Sequence, residues 1–390
     1  MRPAGPILAM MAGQLLVWAA LFYVFPALVL HWQDEFGWTS AEVMGAFTLA
    51  TAIYALGLPL YGRLIDRGLA PTTFPLGVLA GAAILFALLW VPNLLVFYLL
   101  WAAMGVVYGL TLYEPCFALV TRARHAGARA AITGITLVGG FASTLAYPLT
   151  HWVSGFGGWR LSVAVLVMLL LLVAMPLVAW ASRRLEAEAG AAPPDTAPPA
   201  PAPRLLADRR YWPLAAGFAL AALTSGVYLS HLLPLMASLG VSDRLAVTTA
   251  ALIGPSQVAG RVLMLTLGSR SSGVAVAQVG MVCLSLGSLA MAAAGVWPLV
   301  VLLAGVTYGA GYGLVGIMRA VATREVFGQR NYGAIAGAVS LPSLMATAFA
   351  PFLAALVADA GGYGLVIGLS LVAPLIGAGM LVVTRRQARG

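Results

Sequence analysis

Four ionisable groups stand inside otherwise apolar stretches of this chain: Glu114, His231, Arg261 and Arg319. A charge in hydrocarbon is costly, so each is a candidate for function. Arg261 closes the run Gln257-Val258-Ala259-Gly260-Arg261. A guanidinium in a dry cavity holds a carboxylate through two parallel hydrogen bonds, and Gln257 lies one helical turn earlier on the same face. The competing role is an arginine that reaches back to the membrane interface. Its distance from the end of its apolar run favours binding. Glu114 lies in Leu112-Tyr113-Glu114-Pro115-Cys116. A carboxyl buried in a span can carry a proton at neutral pH, and an ion pair with a nearby arginine is the equal alternative. His231, in Ser230-His231-Leu232-Leu233-Pro234, is either a proton relay or a hydrogen-bonded structural histidine, the second being the commoner fate. Arg319 lies near the end of its run, where interface snorkelling competes with function. Tyr23, Tyr108, Tyr113, Tyr228 and Tyr308 offer hydroxyls to a cavity or pack with them satisfied.

Other chemistries find no residues. Cys116 and Cys283 both lie in apolar runs, contrary to a disulfide framework, and no His/Cys cluster has zinc spacing. No nucleophile–base constellation supports an enzyme. No Gly-rich loop ending in Lys-Ser/Thr is present, so energy must come from a gradient, and neither cofactor nor metal is expected.

The elements that must position these residues are membrane helices. The chain has 390 residues, 62% hydrophobic and only 8% charged, with a mean hydropathy of +0.97. A soluble surface needs far more charge. A hydrocarbon core takes about 20 apolar residues per helix. That length predicts twelve spans: Ile7–Leu30, Val43–Gly62, Thr72–Pro92, Leu94–Ala118, Ala130–Thr150, Arg160–Ala181, Trp212–Ala237, Ala246–Leu267, Val274–Ala294, Pro298–Ala320, Gly333–Leu356 and Tyr363–Val383. The first run is too long for a signal peptide and reads as a retained helix. The fold class is therefore all-α membrane protein.

The net charge of +9 comes entirely from arginines, which gather in alternate loops: Arg63 and Arg67, then Arg122, Arg124 and Arg129, then Arg183 to Arg210, then Arg270, Arg324 and Arg330, then the tail. That bias sets both termini in the cytoplasm of an inner membrane and explains the charge better than nucleic acid does. Trp32, Trp38, Trp90, Trp152, Trp159 and Trp297 fall near the opposite ends, as an aromatic belt. One long polar segment, with Ala192 to Pro203 at its centre, reads as a polyproline-like linker. It divides the chain into residues 1–182, the linker 183–210, and residues 211–390.

The two parts repeat. Gly105-Val106-Val107-Tyr108-Gly109 matches Gly305-Val306-Thr307-Tyr308-Gly309, and Ala131-Ile132-Thr133-Gly134 matches Ala334-Ile335-Ala336-Gly337. Gly57 with Gly260, Arg67 with Arg270 and Pro148 with Pro351 keep nearly the same offset. Two parallel six-helix repeats make a transporter architecture of the alternating-access kind. The glycine spacings on helices four and ten predict close helix contacts.

The chain thus resembles the major facilitator superfamily. Gly62-Arg63-Leu64-Ile65-Asp66-Arg67-Gly68 is similar to that family's signature loop between helices two and three, although Leu69, Ala70 and Pro71 replace its closing basic end. The resemblance implies that Asp66 and Arg67 belong to a latch between the halves. It also implies that helices four and ten line the cavity, so that Arg319 could pair with Glu114 as a gate. Phe22-Tyr23-Val24-Phe25-Pro26 and Glu35-Phe36-Gly37-Trp38-Thr39-Ser40-Ala41-Glu42 resemble the monocarboxylate porters and their bacterial oxalate–formate relatives. The helix-eight motif of that branch has an acid where this chain has Gln257, and the first-helix lysine has no counterpart.

The function expected is secondary transport of a small organic anion, a monocarboxylate in the resemblance, coupled to protons or a counter-anion. Arg261, Gln257, Tyr23, Tyr108 and Tyr308 would bind it; Glu114 and His231 would handle protons. The partners expected are that solute and lipid, with the carrier a monomer. A proton-driven exporter of drugs or metabolites and a non-transporting sensor are the alternatives. Arg261 argues against export of hydrophobic cations, and the loops are too short for a signalling domain.

Overall fold

The computed structural model describes residues 4–124, 127–190, 205–267, 272–328 and 332–389. The centre of the expected linker, Ala192 to Pro203, lies outside them, as do Arg204, Arg270 and Arg330. The described regular structure is helical throughout, and the chain divides into two compact units, Met1–Asp195 and Thr196–Gly390.

The first unit holds α1 (Gly5–Phe36), α2 (Ser40–Asp66), α3 (Ala70–Leu88), α4 (Leu94–Arg124), α5 (128–156) and α6 (159–190). The second holds α7 (Tyr211–Ser238), α8 (Asp243–Leu267), α9 (Gly273–Ala293), α10 (Val301–Phe327), α11 (332–361) and α12 (363–389). Each predicted span falls on one of these helices. The sixth helix continues to Gly190, into the segment expected as linker.

Local chemistry sets the ends. A reciprocal capping box starts α2: Thr39 Oγ1 accepts from the Glu42 amide at 3.2 Å, and the Glu42 carboxylate accepts from the Thr39 amide at 2.8 Å. Gly68, with φ +81°, closes α2 in a Schellman turn. Its amide donates to Ile65 O at 2.9 Å, and the Leu69 amide donates to Leu64 O at 3.2 Å. Gly158 (φ +69°) and Gly362 (φ +76°) make the turns from α5 to α6 and from α11 to α12 in a left-handed conformation that side chains resist.

Packing repeats between the units. In the first, α4 packs on α2 and α3; in the second, α10 packs on α8 and α9. The second pairing runs on the expected glycine stripe. A β-carbon on Gly305, Gly309 or Gly313 would lie 2.7, 2.6 or 2.5 Å from the carbonyl oxygens of Thr249, Ile253 and Gln257 respectively. Backbones that close are possible only where side chains are absent. In the first unit Gly105 lies against Ala50 O in the same way.

One end of each unit is laced by charge. Arg122 donates to Ile65 O at the end of α2 and to Glu186 on α6, and Arg124 pairs with Glu188 at 3.0 Å. In the second unit, Glu325 accepts from the Gly273 amide at 2.7 Å, which opens α9. Arg210 donates to Val326 O at 3.0 Å and is held by Asp208 at 2.7 Å. That hydrogen-bonded pairing lowers the Asp208 carboxyl below its usual pKa against the opposing effect of burial, and raises the guanidinium.

The tryptophan belt is only partly as expected. Trp90, Trp152 and Trp297 are exposed, but Trp32 and Trp159 are buried. Trp32 packs with Phe25, Phe97 and Trp101 in an aromatic core, and the Trp159 indole donates to Glu35. Glu35 also pairs with Arg160 at 2.6 Å, tying the end of α1 to the start of α6.

Candidate functional site

Two irregular turns shape the middle of the first unit. On α1, residues Trp18–Phe22 form a π-turn in which the Tyr23 amide bonds to Trp18 O at 2.9 Å. Such turns often mark functional sites. On α4 the helix breaks at Leu112 (ψ −162°) and restarts at Tyr113, so the span expected to run unbroken from Leu94 to Ala118 is interrupted. Pro115 is the cause: it has no N–H for the carbonyl of Thr111, four residues back. Gln14, fully buried on α1, supplies the missing donor at 2.7 Å.

Glu114 sits in the first turn after that break, where a helix N-terminus favours a carboxylate. It is exposed, not buried as the sequence suggests, because the break turns it out of the helix packing. It accepts a hydrogen bond from the Tyr54 hydroxyl. Trp18 stacks obliquely on Tyr113 at 4.5 Å, and Tyr113 lies parallel to Phe117 at 5.2 Å. Tyr23 is half-buried beside Trp18 and Tyr147.

Tyr108 is a different case. It is fully buried, and its hydroxyl donates to Leu21 O in the π-turn at 3.1 Å. Its repeat counterpart Tyr308 is also buried and donates to Ser225 O on α7 at 2.9 Å. Each hydroxyl thus ties helix four or ten to the first helix of its own unit, since a buried hydroxyl takes a nearby carbonyl.

In the second unit Gln257 is 6% exposed, its backbone pressed on Gly313. Arg261, one turn further along α8, is half-buried, as is Arg319 on α10. His231 is fully buried on α7. Its Nε2 faces Pro351 O at 2.7 Å and its Nδ1 faces the Tyr363 hydroxyl at 3.0 Å. An Nε2–H donating to the carbonyl, with Nδ1 accepting from the hydroxyl, satisfies both nitrogens of a neutral ring. These contacts join α7, α11 and α12. Asp66 and Arg67 are exposed at the end of α2.

Sequence reasoning passed over Gln14, Tyr54, Trp18 and Tyr312. A glutamine in the first span was the available signal, since an amide in hydrocarbon needs partners. The tyrosines and the tryptophan carry no spacing that separates site from packing.

The model of the Major Facilitator Superfamily matches residues 10–341. The crystal structure of a bacterial homolog to the human lysosomal transporter Spinster, in an inward-facing and occupied conformation, shares the fold. Its TM-score is 0.70 at 17% identity, over 98% of this chain and 96% of that one. No curated protein matches the chain. With nine helical stretches among the described residues long and apolar enough to cross a membrane, and a family match over most of its length, the chain belongs to the Major Facilitator Superfamily and is a multi-pass membrane transporter of the secondary-carrier kind, not an enzyme.

Proposed function

We propose that this carrier moves a small organic anion, a monocarboxylate, across an inner membrane, coupled to protons or to a counter-anion. The observation that carries the reading is Arg261 with Gln257 one turn before it on α8. The contact of Gln257 with Gly313 fixes that turn against α10, so the guanidinium projects from a rigid base. A planar fork on a rigid base suits bidentate recognition of a carboxylate. Arg261→Lys is expected to weaken carboxylate uptake in liposomes, and Arg261→Ala to abolish it with the protein still in the membrane. Normal uptake by Arg261→Ala would remove the anion reading.

Glu114 is the proposed proton carrier. Its place at a helix restart, with Tyr54 as hydrogen-bond partner, supports a carboxyl that is held yet accessible. Glu114→Gln should keep counterflow exchange and lose accumulation driven by a pH gradient. Retained proton-driven accumulation would favour anion exchange instead.

The arginine-rich loops support an orientation with both termini in the cytoplasm. In a background lacking Cys116 and Cys283, a cysteine replacing Pro199 should resist a membrane-impermeant thiol reagent in intact cells. Its labelling would invert the orientation.

A further inference from the structure

We infer that the end of α6 in the first unit binds the headgroup of an anionic phospholipid, held by Arg183 and Arg184 beside Trp180.

One side of α6 is laid out for lipid. Met168, Leu172, Pro176, Trp180 and Arg184 follow one another at four-residue spacing, and all five are exposed. Such neighbours share a helix side. The widened turn at Leu170–Ala174 offsets part of the drift that four-residue steps accumulate. Leu161, two turns before Met168, is exposed as well. From Leu161 to Trp180 the helix rises about 28 Å, close to the thickness of a hydrocarbon core. The apolar part of this side spans the acyl chains. Trp180 then stands at their border, and Arg183 and Arg184 one turn beyond, at the depth of lipid phosphates.

Both arginines are exposed, and their own helix does not neutralise them. Glu186 and Glu188 follow at the spacings where a helix pairs base with acid. Each is engaged elsewhere: Glu186 pairs with Arg122 at 2.9 Å, and Glu188 with Arg124 at 3.0 Å. Arg183 and Arg184 make no ion pair among the described residues. Acid is thus turned to the neighbouring helix and base is turned outward. Two guanidiniums that continue an apolar surface match a ligand whose phosphate continues two acyl chains.

Trp180 gives the site a fixed wall. A β-carbon on Gly5 would lie 3.2 Å from Cη2 of its ring, so the indole rests on the first turn of α1. An amphipathic ring at that depth packs along the glycerol region of a lipid.

The repeat supplies a comparison within the chain. At the offset that pairs Ala131 with Ala334, the residues Trp180, Arg183 and Arg184 correspond to Val383, Arg386 and Gln387 on α12. All three are exposed, and Arg385 beside them is half-buried. The second unit keeps the lipid-facing side and one exposed arginine, but it lacks the indole and the second exposed charge. A headgroup site therefore belongs to α6 and not to α12, whereas a general attraction of basic ends for the membrane treats both alike.

The test uses the full-length protein in neutral detergent, with a photoactivatable phosphatidylglycerol whose cross-links are assigned by peptide. Labelling at the end of α6 should exceed that at the end of α12. Unlabelled phosphatidylglycerol should compete for it about tenfold better than phosphatidylcholine with the same chains. Arg183→Gln with Arg184→Gln should raise the phosphatidylglycerol needed by about tenfold to thirtyfold. Arg184→Gln alone should raise it about fivefold, and it carries the test if the paired variant does not fold. Arg386→Gln should leave it unchanged. Equal competition by the two lipids, equal labelling of the two helix ends, or unchanged competition in Arg184→Gln overturns the inference. Displacement by glycerol 3-phosphate also overturns it, since that marks a site for a soluble phosphate. The organic-anion reading uses none of these residues and is unaffected by any of these results.

Discussion

The side-chain amide of Gln14 donates to the carbonyl oxygen of Thr111 at 2.7 Å, the carbonyl that Pro115 leaves without a helical donor. The break in α4 and the polar residue in α1 are therefore one feature. The proline opens the helix, and the glutamine satisfies what the opening exposes.

Gln14→Leu keeps the volume and removes the donor, leaving a buried carbonyl unsatisfied. The expected loss is about 1–3 kcal/mol, read as a lower unfolding temperature in detergent. Adding Pro115→Ala restores a backbone N–H for Thr111 O, so the double variant should recover much of that loss. A double variant as unstable as Gln14→Leu with Pro115 intact would show that the amide acts in some other way.

The glycine stripe predicts opposite outcomes one turn apart. Gly313→Ala drives a methyl to 2.5 Å from Gln257 O, and the backbones must separate. Such overpacking costs about 1–3 kcal/mol, and uptake should fall with it because Arg261 shares that helix. Gly316 has nothing near its β-position, so Gly316→Ala should be neutral or stabilise by up to about 1 kcal/mol. Unfolding temperatures of the two variants, measured together, check the contrast; equal values would contradict it.

His231 is predicted to stabilise the fold without relaying protons. His231→Ala leaves Pro351 O and the Tyr363 hydroxyl without their partner and should cost about 1–3 kcal/mol. His231→Gln, which can still donate and accept, should recover part of this. In both variants the pH profile of uptake should keep its midpoint. A displaced midpoint in His231→Gln would return the residue to the proton pathway.

Much of the scaffold was legible because the bilayer imposes a length and a composition. The helices on which the predicted spans fall, and the glycine contacts of Gly305, Gly309 and Gly313, follow from local sequence. The break at Leu112 was half-legible. Pro115 announces a missing donor, but its replacement stands 97 positions from Thr111, a pairing that only folding creates. Tyr108 and Tyr308 show the same limit. Their place in the repeat was readable, but whether a hydroxyl meets solute or carbonyl depends on the helix opposite. The apolar run around Glu114 points to burial, yet the side chain is exposed beside the break at Leu112, which local hydropathy does not register. The distance of Trp32 along its helix points to a belt, yet Phe25, Phe97 and Trp101 enclose it.

At the offset that pairs Ala131 with Ala334, Arg122 corresponds to Glu325. The two carry opposite charge and both are engaged: Arg122 donates a hydrogen bond to Ile65 O at the end of α2, and Glu325 accepts from the Gly273 and Val274 amides that open α9. Where one helix ends beside the start of the next, the negative pole of the first lies near the positive pole of the second. A side chain arriving there from a third helix finds an attractive pole whatever its sign. Descendants of a duplicated half could therefore exchange base for acid at this corner by re-aiming a side chain through a few ångströms, with no intermediate that strands a charge. The corner is a place where sequence can drift through charge reversal while the architecture stays still.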